Sequence, residues 1–137
     1  MVLAFDVFEH IPYRELTGMC GKIANALKPG GFLVARFPNG DSPFSLPIQN
    51  ADPTHVHSIG SGIAHELMRV SGLEVVELRA PYETPVTLKS KIALPFKRLM
   101  RSLLTTYVRF TYLGASTPPT YALNYLLVAR KPVTNLH

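Results

Sequence analysis

Apolar runs of strand length alternate with amphipathic helical stretches along most of the sequence, and this alternation constrains the fold more than any other feature. A strand, a helix and a strand are followed by a long polar loop, a second helix and a third strand. A fourth apolar run of the same type lies near the carboxyl end. This order predicts an α/β domain with a mainly parallel sheet and helical crossovers.

The predicted helices repeat apolar residues at intervals of three and four and end at glycine, and the predicted strands are uninterrupted apolar runs. The strands are "VLAF", "FLVARF", "LEVVELR" and "ALNYLLVAR", and the helices cover Leu16 to Leu27 and Ile63 to Val70. The loop from Gly40 to Gly60 is rich in Pro, Asp, Asn and Ser. An ordered loop of that length is usually functional.

Residues 81–120 interrupt the alternation. We predict one or two helices between Leu88 and Leu113, which form an insert between two strand-and-helix portions, 1–80 and 121–132, of a single domain over 1–137. The chain up to Glu83 has all nine acidic residues and six Lys or Arg. The chain after Glu83 has eight Lys or Arg and no acidic residue. We therefore expect the insert to face an anionic or interfacial partner.

Composition limits the cellular context. The single cysteine, Cys20, excludes an internal disulfide and predicts a small buried helix residue. No basic residue precedes the first apolar run, so this run does not indicate a signal peptide, and no apolar segment approaches the roughly 20 residues that span a bilayer. We expect a cytoplasmic protein.

Polar side chains follow the first predicted strand directly, as expected at the edge of an active site. Asp6, Glu9 and His10 come after this strand, and His55 and His57 lie in the long loop. An imidazole has an unperturbed pKa near neutrality and suits proton transfer. Carboxylates and imidazoles together also suit a divalent ion.

In this order the residues resemble the second half of the class I S-adenosylmethionine-dependent methyltransferases. "AFDVFEHIP" is similar to the family's fourth strand and the loop after it, and "ELTGMCGKIANALKPGGFLVARFPN" to the next helix and the fifth strand. "THVHSIGSGIAHELMRVSGLEVVEL" is similar to the following helix and the sixth strand, and "NYLLVARKP" to the seventh strand. The resemblance implies a partial Rossmann-like fold with strands 4 to 7, crossover helices, an antiparallel last strand and a helical insert before it.

The resemblance implies S-adenosylmethionine as cofactor, yet the family's cofactor-binding half has no counterpart here. A glycine-rich loop after an early strand and an acidic residue after the next are both missing from the sequence. We expect the chain to start within the fold and to expose a sheet edge and an apolar face. It would then be unstable alone, self-associate, or pair with a complementary amino-terminal half.

The resemblance also implies roles for individual residues. It assigns His10 as general base with Glu9 beside it, Asp6 and Phe8 near the cofactor, and Pro38, Asn39, His55 and His57 near the acceptor. A second interpretation joins Asp6, Glu9, His10 and His55 as ligands of a divalent metal such as Mg²⁺, as in the small-RNA 2′-O-methyltransferases and the ubiquinone-pathway O-methyltransferases. Purely structural roles stay open: packing for His10, loop anchoring for Glu9 and His55, and a plain turn for Pro38 and Asn39.

The long loop and the insert indicate the chemical class of the methyl acceptor through their resemblance to known enzymes. "PNGDSPFSLPIQNADPTH" with its insert is similar to methyltransferases of polysaccharide and lipopolysaccharide synthesis, which implies O-methylation of a sugar or glycolipid. The basic insert, 88–113, would lie at the inner membrane face or form an ordinary lid. A nucleic acid is the less favoured partner because no recognition motif accompanies the basic residues. The competing hypothesis is a non-catalytic remnant that acts as a binding or regulatory partner.

Overall fold

The four strands form one mixed sheet in a computed structural model that describes residues 1–133. The strands are β1 (Val2–Phe5), β2 (Phe32–Pro38), β3 (Glu74–Arg79) and β4 (Asn124–Arg130). Their order across the sheet is β1-β2-β4-β3, with β1 parallel to β2 and with β4 antiparallel to both of its neighbours. The predicted α/β class and the antiparallel last strand are confirmed.

Four helices accompany the sheet: α1 (Tyr13–Ala26), α2 (Leu46–Ala51), α3 (Ser61–Val70) and α4 (Leu88–Val108). Gly72, directly after α3, adopts a φ of 76°, the left-handed conformation that ends helices without a Cβ penalty. Gly30 has the same φ, but it lies in a turn over residues 28–31 that the Gly31 amide closes on the Lys28 carbonyl at 2.8 Å, beyond the extended Leu27 that ends α1. A capping box between Thr87 and Ser90 begins α4. The helical insert before the last strand is thus present as one long helix, followed by a short π-helical turn over Arg109–Leu113.

The loop from Gly40 to Gly60 is more structured than the sequence predicts. A 3-10 turn over Pro43–Ser45 leads directly into α2. Ser42 caps this turn by accepting a hydrogen bond from the amide of Phe44. Pro47 stands in the first turn of α2, where its missing N–H costs nothing. A six-residue helix is too short for an apolar period, so the sequence pattern shows only a loop.

One face of the sheet carries the core. Alternate residues of β2 and β4 point to this face and pack against α1 and α3. The fully buried members are Leu16, Cys20, Leu33, Ala35, Phe37, Leu67, Met68, Tyr125, Leu127 and Ala129. Burial raises the pKa of the Cys20 thiol to about 11, consistent with the buried helix residue expected from the sequence.

The opposite face of the sheet is open, and along β1 it carries apolar side chains. Leu3 pairs in register with Val34 and Phe5 with Arg36, on the strand positions that alternate with the core. Leu3 and Phe5 are 56% and 47% exposed, and Val34 is half-buried. Among residues 1–133, β1 also has no strand on its outer edge. This part of the chain therefore leaves both an apolar face and a strand edge uncovered.

Two glycines bring the end of β2 against the start of α3. A Cβ on Gly40 would lie 2.7 Å from the backbone nitrogen of Gly60 and from the carbonyl carbon of Ile59. Asp41 completes the junction: its Oδ2 accepts hydrogen bonds from the Ser61 amide at 2.6 Å and from the Tyr125 hydroxyl at 2.8 Å. The close approach sets where the long loop rejoins the sheet.

We predict that Gly40→Ala lowers the free energy of unfolding by about 1–3 kcal/mol, because the added methyl group meets backbone atoms that cannot rotate away. Gly62→Ala is the matched control. Its Cβ has open space around it within α3, so the change raises stability by up to about 1 kcal/mol. Chemical denaturation of the variants measures both. Equal midpoints for wild type and Gly40→Ala would contradict the described packing.

Candidate functional site

The chain leaves β1 through a residue held in an unusual conformation. Asp6 has a φ of 54°, in the left-handed region that Asp tolerates better than most residues. Its amide still donates to the Arg36 carbonyl at 2.8 Å, and its carboxylate accepts from both Nε, at 3.0 Å, and Nη2 of the Arg36 guanidinium. The bidentate pair occupies both carboxylate oxygens of Asp6.

Two separate loops are joined beyond this point. The amide of Val56 donates to the carbonyl of Glu9 at 2.9 Å, and the Thr54 hydroxyl lies 2.8 Å from Nδ1 of His10. The first loop follows β1, and the second belongs to the segment between β2 and α3. Their contact brings together residues that are more than forty positions apart in the sequence.

Glu9, His10 and His55 form a cluster at this junction. One potential ligand atom from each lies within 4.8 Å of the other two. The two imidazole rings are 4.8 Å apart between centroids and tilted by 59°. The sequence places all three residues among the candidate ligands. The cluster does not include Asp6, whose carboxylate is held by Arg36, so the four-ligand set expected from the sequence is reduced to three.

Hydrogen bonds fix the tautomer of His10. The pKa of Asp52 is held below its ordinary value by hydrogen bonds from the Thr54 hydroxyl and amide, so this carboxylate is ionised and only accepts. The Thr54 hydroxyl therefore donates to Asp52, at 2.6 Å, and must accept from His10. The proton of His10 is then on Nδ1, which leaves the lone pair of Nε2 for a ligand or a proton.

His55 is oriented in the same manner. Its Nδ1 lies 3.2 Å from the carbonyl oxygen of Gln49, which accepts but cannot donate, so Nδ1 carries the proton. Oδ2 of Asp52 is 3.8 Å from Nε2, beyond hydrogen-bond distance. Both imidazoles of the cluster thus use Nδ1 for a protein contact and keep Nε2 free, the arrangement typical of metal-binding histidines.

Glu9 contributes a buried and unsatisfied oxygen. The residue is 2% exposed, and its Oε2 has no hydrogen-bond partner. Burial raises the pKa of this carboxyl, and the charge of Asp6 adds to the increase, while the two histidines act in the opposite direction. A buried carboxylate oxygen without a donor is uncommon in folded proteins. Here it lies next to two imidazoles, where a cation would satisfy it.

One carboxylate and two imidazoles fit a divalent transition ion. Mg²⁺ prefers oxygen ligands throughout, whereas imidazole nitrogen suits Fe²⁺ or Zn²⁺, and Mn²⁺ shares the carboxylate preference of Mg²⁺ but binds more softly to nitrogen. The mixed donor set of Glu9, His10 and His55 therefore fits a transition ion such as Fe²⁺, Zn²⁺ or Mn²⁺ better than the Mg²⁺ that the sequence analysis gives as an example.

His57 lies apart from this cluster. Both of its ring nitrogens are shielded from solvent without a hydrogen-bond partner, and its ring meets the ring of Tyr13 edge-on at 6.2 Å. Burial lowers the pKa of this imidazole. Its carbonyl accepts from Nε2 of Gln49 at 2.9 Å. The predicted acceptor-side role of His57 has no further support in these contacts.

Three other candidates from the sequence are buried and occupied. Phe8 is fully buried and stacks on Phe37 at 5.9 Å, so it has no free surface for a cofactor. Pro38 is also buried. Asn39 donates to the carbonyls of Thr120 at 2.9 Å and Ala122 at 3.0 Å, and its Oδ1 accepts from the Asp41 amide. These contacts give Phe8, Pro38 and Asn39 roles in packing and loop anchoring, and their assignment to the cofactor and the acceptor stays a prediction.

Sequence reasoning overlooked two residues that orient the cluster. Thr54 and Gln49 supply the groups that fix the tautomers of His10 and His55. The sequence "DPT" gives a signal for Thr54, because the side chain of an Asp commonly accepts a hydrogen bond from the backbone amide two residues later and so forms an Asx turn. The signal for Gln49 is weak, since it acts through a backbone carbonyl that any residue supplies.

The glycines of residues 1–133 do not form a nucleotide-binding loop. Gly30 and Gly31 follow α1 and lead into β2, where they form a turn with Lys28 and Pro29. Gly60 lies against the carboxylate of Asp41. A nucleotide-binding loop instead follows a strand and opens a helix with its backbone free for the ligand. The described residues alone therefore do not fit the nucleotide part of S-adenosylmethionine.

Comparisons with known proteins were made for sequence and for structure. No family model matches the sequence, and no curated protein matches it. Among solved structures, a SAM-dependent methyltransferase from Archaeoglobus fulgidus aligns over 95% of this chain with 18% identity and a TM-score of 0.61. A chain in the complex of the Haloferax volcanii Trm112 methyltransferase activator with a candidate methyltransferase aligns over 99% with 16% identity and a TM-score of 0.54.

The chain has the fold of SAM-dependent methyltransferases. It spans 58% of the Archaeoglobus protein and 55% of the Haloferax chain. The [4+2]-cyclase SpnF also aligns, over 96% of this chain and 48% of its own, with 18% identity and a TM-score of 0.51. At these identities the likeness establishes the fold alone, and the same fold serves more than one reaction.

We predict that nitrogen NMR of the histidine side chains at pH 8, where imidazole is normally neutral, finds the Nδ1–H tautomer for His10. Thr54→Val removes the hydroxyl acceptor and leaves only the Thr54 carbonyl, 3.3 Å from Nδ1, so the Nε2–H share of His10 rises, whereas Thr54→Ser preserves the wild-type spectrum. His65 serves as the internal reference, since its Nδ1 contacts the Ser61 carbonyl at 2.9 Å, in α3. A dominant Nε2–H form of His10 in the wild type would contradict the assigned hydrogen bonds.

Proposed function

We propose that this chain supplies the acceptor-side wall of a SAM-dependent O-methyltransferase whose acceptor is a sugar or a glycolipid. The observation that carries the proposal is the cluster of Glu9, His10 and His55 in the loops that follow β1 and β2. These loops follow the carboxyl ends of two parallel strands, and ligands of open α/β sheets bind at that edge.

His10 is the residue proposed to act on the acceptor hydroxyl. Its Nε2 has a free lone pair, because Thr54 and Asp52 hold the proton on Nδ1. In the absence of a metal, Nε2 accepts the hydroxyl proton as general base. When bound, S-adenosylmethionine supplies an electrophilic methyl group. Glu9 lies beside this imidazole and, when ionised, favours the imidazolium that the proton transfer forms.

A second use of the same atoms is the binding of a divalent ion. The residues that would hold it are Glu9, through Oε2, and His10 and His55, each through Nε2. The chemistry that such an ion supplies when bound is Lewis-acid polarisation of the acceptor hydroxyls. Because one lone pair of His10 serves either a metal or a proton, the two roles are alternatives. The unsatisfied Oε2 of Glu9 favours the metal.

The acceptor class is supported by chemistry and by sequence resemblance. Neighbouring hydroxyls of a sugar are oxygen donors that can complete the coordination of a divalent ion with three protein ligands. The segment from Pro38 to His55 resembles the corresponding loop of methyltransferases in polysaccharide synthesis. Together these support a sugar hydroxyl over a nitrogen acceptor.

The cofactor-binding wall is proposed to come from another polypeptide segment. The open face of the sheet and the free edge of β1 offer apolar side chains such as Leu3 and Phe5, together with unpaired backbone groups. A parallel strand added to β1 would satisfy the edge, and a layer of helices would cover the face. Self-association through this edge is the other means of covering it.

A non-catalytic binding or regulatory subunit is the second candidate function. It is favoured by Gly30, Gly40, Gly60 and Gly72, which serve a turn, close packing or helix termination instead of nucleotide binding. The two candidates differ in one property: only the enzyme binds S-adenosylmethionine once its sheet is completed.

We expect Mn²⁺ to bind the wild-type chain with a stoichiometry of one in isothermal titration calorimetry. Glu9→Gln and His55→Ala remove ligands. They weaken Mn²⁺ binding by more than roughly 10–100-fold, the loss typical when a residue that only hydrogen-bonds to a metal ligand is removed. His65→Ala is the control, because this exposed imidazole lies on α3 outside the cluster. Equal affinities in wild type and His55→Ala would rule out the site.

Methyl transfer is tested on the chain purified from its natural source together with whatever polypeptide it retains. We expect that preparation to bind S-adenosylmethionine and to transfer labelled methyl groups to glycolipid extracts. His10→Ala lowers the rate by about 10²–10⁴-fold, the range for loss of a general base, and His65→Ala leaves it unchanged. A preparation that binds no cofactor would favour the non-catalytic subunit, and full activity of His10→Ala would exclude the proposed base.

A further inference from the structure

Helix α4 has two apolar faces, and only one of them is used by the domain. Leu94, Leu104 and Val108 are half-buried and lie on the same side of the helix at intervals of ten and four. Leu104 and Val108 line a small apolar depression with Phe44 and Tyr121. No side chain of α4 is fully buried, so the contact with the domain is shallow.

The second apolar face points to solvent. Its residues recur at intervals of four, four, three and four, which at about 100° per residue form one continuous stripe opposite the domain-facing side. Each member is between 53% and 74% exposed: Leu88, Ile92, Phe96, Leu99 and Leu103. Monomeric proteins rarely expose a contiguous apolar surface of this kind unless it binds something.

Positive charge surrounds the stripe. The segment from Leu88 to Leu113 has six Lys and Arg and no acid. Within residues 1–133, Arg101 is the only one of the six that forms a salt bridge, with Glu83. Lys91, Arg98 and Arg109 lie along one flank of the stripe, and Lys89 lies on the other. An occupant of this surface must therefore be apolar where it meets the stripe and anionic at its sides.

We propose that α4 binds in the plane of an anionic lipid membrane, with the apolar stripe entering the boundary between headgroups and acyl chains. A lipid membrane is both apolar and anionic: its acyl chains contact the stripe, and its negative headgroups pair with the lysines and arginines. A helix lying in the interface needs no transmembrane length. Within the part of the chain that the structure describes, no helix is long and apolar enough to cross a bilayer.

A second copy of the chain is a poorer occupant. A symmetric contact between two α4 stripes would place Lys89, Lys91 and Arg98, which flank the stripe, beside the same residues of the other copy, with no acid in either segment. Like charges at such a contact repel. The membrane proposal does not depend on the proposed methyl transfer, because it uses no residue of the Glu9, His10 and His55 cluster.

The test is flotation of the full chain with vesicles of phosphatidylcholine alone and with phosphatidylglycerol added. We expect binding to the anionic vesicles, and we expect it to weaken as salt is raised. Lys89→Gln with Lys91→Gln lowers the partition coefficient by roughly 30-fold, at about fivefold for each basic residue near the surface. Lys22→Gln with Lys28→Gln, at exposed positions outside the insert, is the matched control and changes it little.

The apolar stripe is tested separately. Phe96→Ser lowers the partition coefficient by about 10–100-fold, because a buried phenyl ring is lost from the interface. Val76→Ser, which is 56% exposed on β3, has little effect. Binding that is absent, or equal on neutral and anionic vesicles, would overturn the proposal. It would also be overturned if Phe96→Ser abolished a dimer and left vesicle binding intact, since the occupant would then be a second copy.

Discussion

The buried side chain of Asn39 is the interaction on which the architecture around the site depends. Its amide nitrogen donates to the carbonyls of Thr120 and Ala122, which fixes the entry to β4, and its Oδ1 accepts from the Asp41 amide. The antiparallel strand and the loop that carries His55 are therefore held by one side chain. Without it, buried carbonyls would lose their donors, a cost of about 1–3 kcal/mol for each unsatisfied group.

The elements of the fold follow closely from local sequence, and their arrangement does not. The apolar run Val2–Phe5 is β1 to the residue, and Gly72 ends α3 as predicted. The position of β4 between β2 and β3 cannot be read from a period of two, because the period gives a strand but not its neighbours. The resemblance to the methyltransferases predicted only the antiparallel direction of this strand. The short helix α2 was missed because six residues carry no apolar period.

The candidate site was predicted in part. Glu9, His10 and His55 are polar residues beside apolar segments, and chemistry alone marks them as candidates. Asn39 looks equally functional in the sequence, yet its partners lie some eighty residues away and consume its hydrogen-bonding capacity. The Asp6 carboxylate is likewise used by a distant residue, because the register of β1 on β2 places Arg36 beside it. Local sequence identifies groups able to bind a ligand, and tertiary contacts decide which of them remain free.

The loops after β1 and β2 meet at Glu9, His10 and His55, and we propose that they form one site for a divalent ion there. The decisive measurement is anomalous diffraction at the manganese edge from crystals of the chain grown with Mn²⁺. We expect a peak contacted by a carboxylate oxygen of Glu9 and by Nε2 of His10 and His55. A Mn²⁺ peak bound elsewhere, or no peak between these three residues at saturating Mn²⁺, would contradict it.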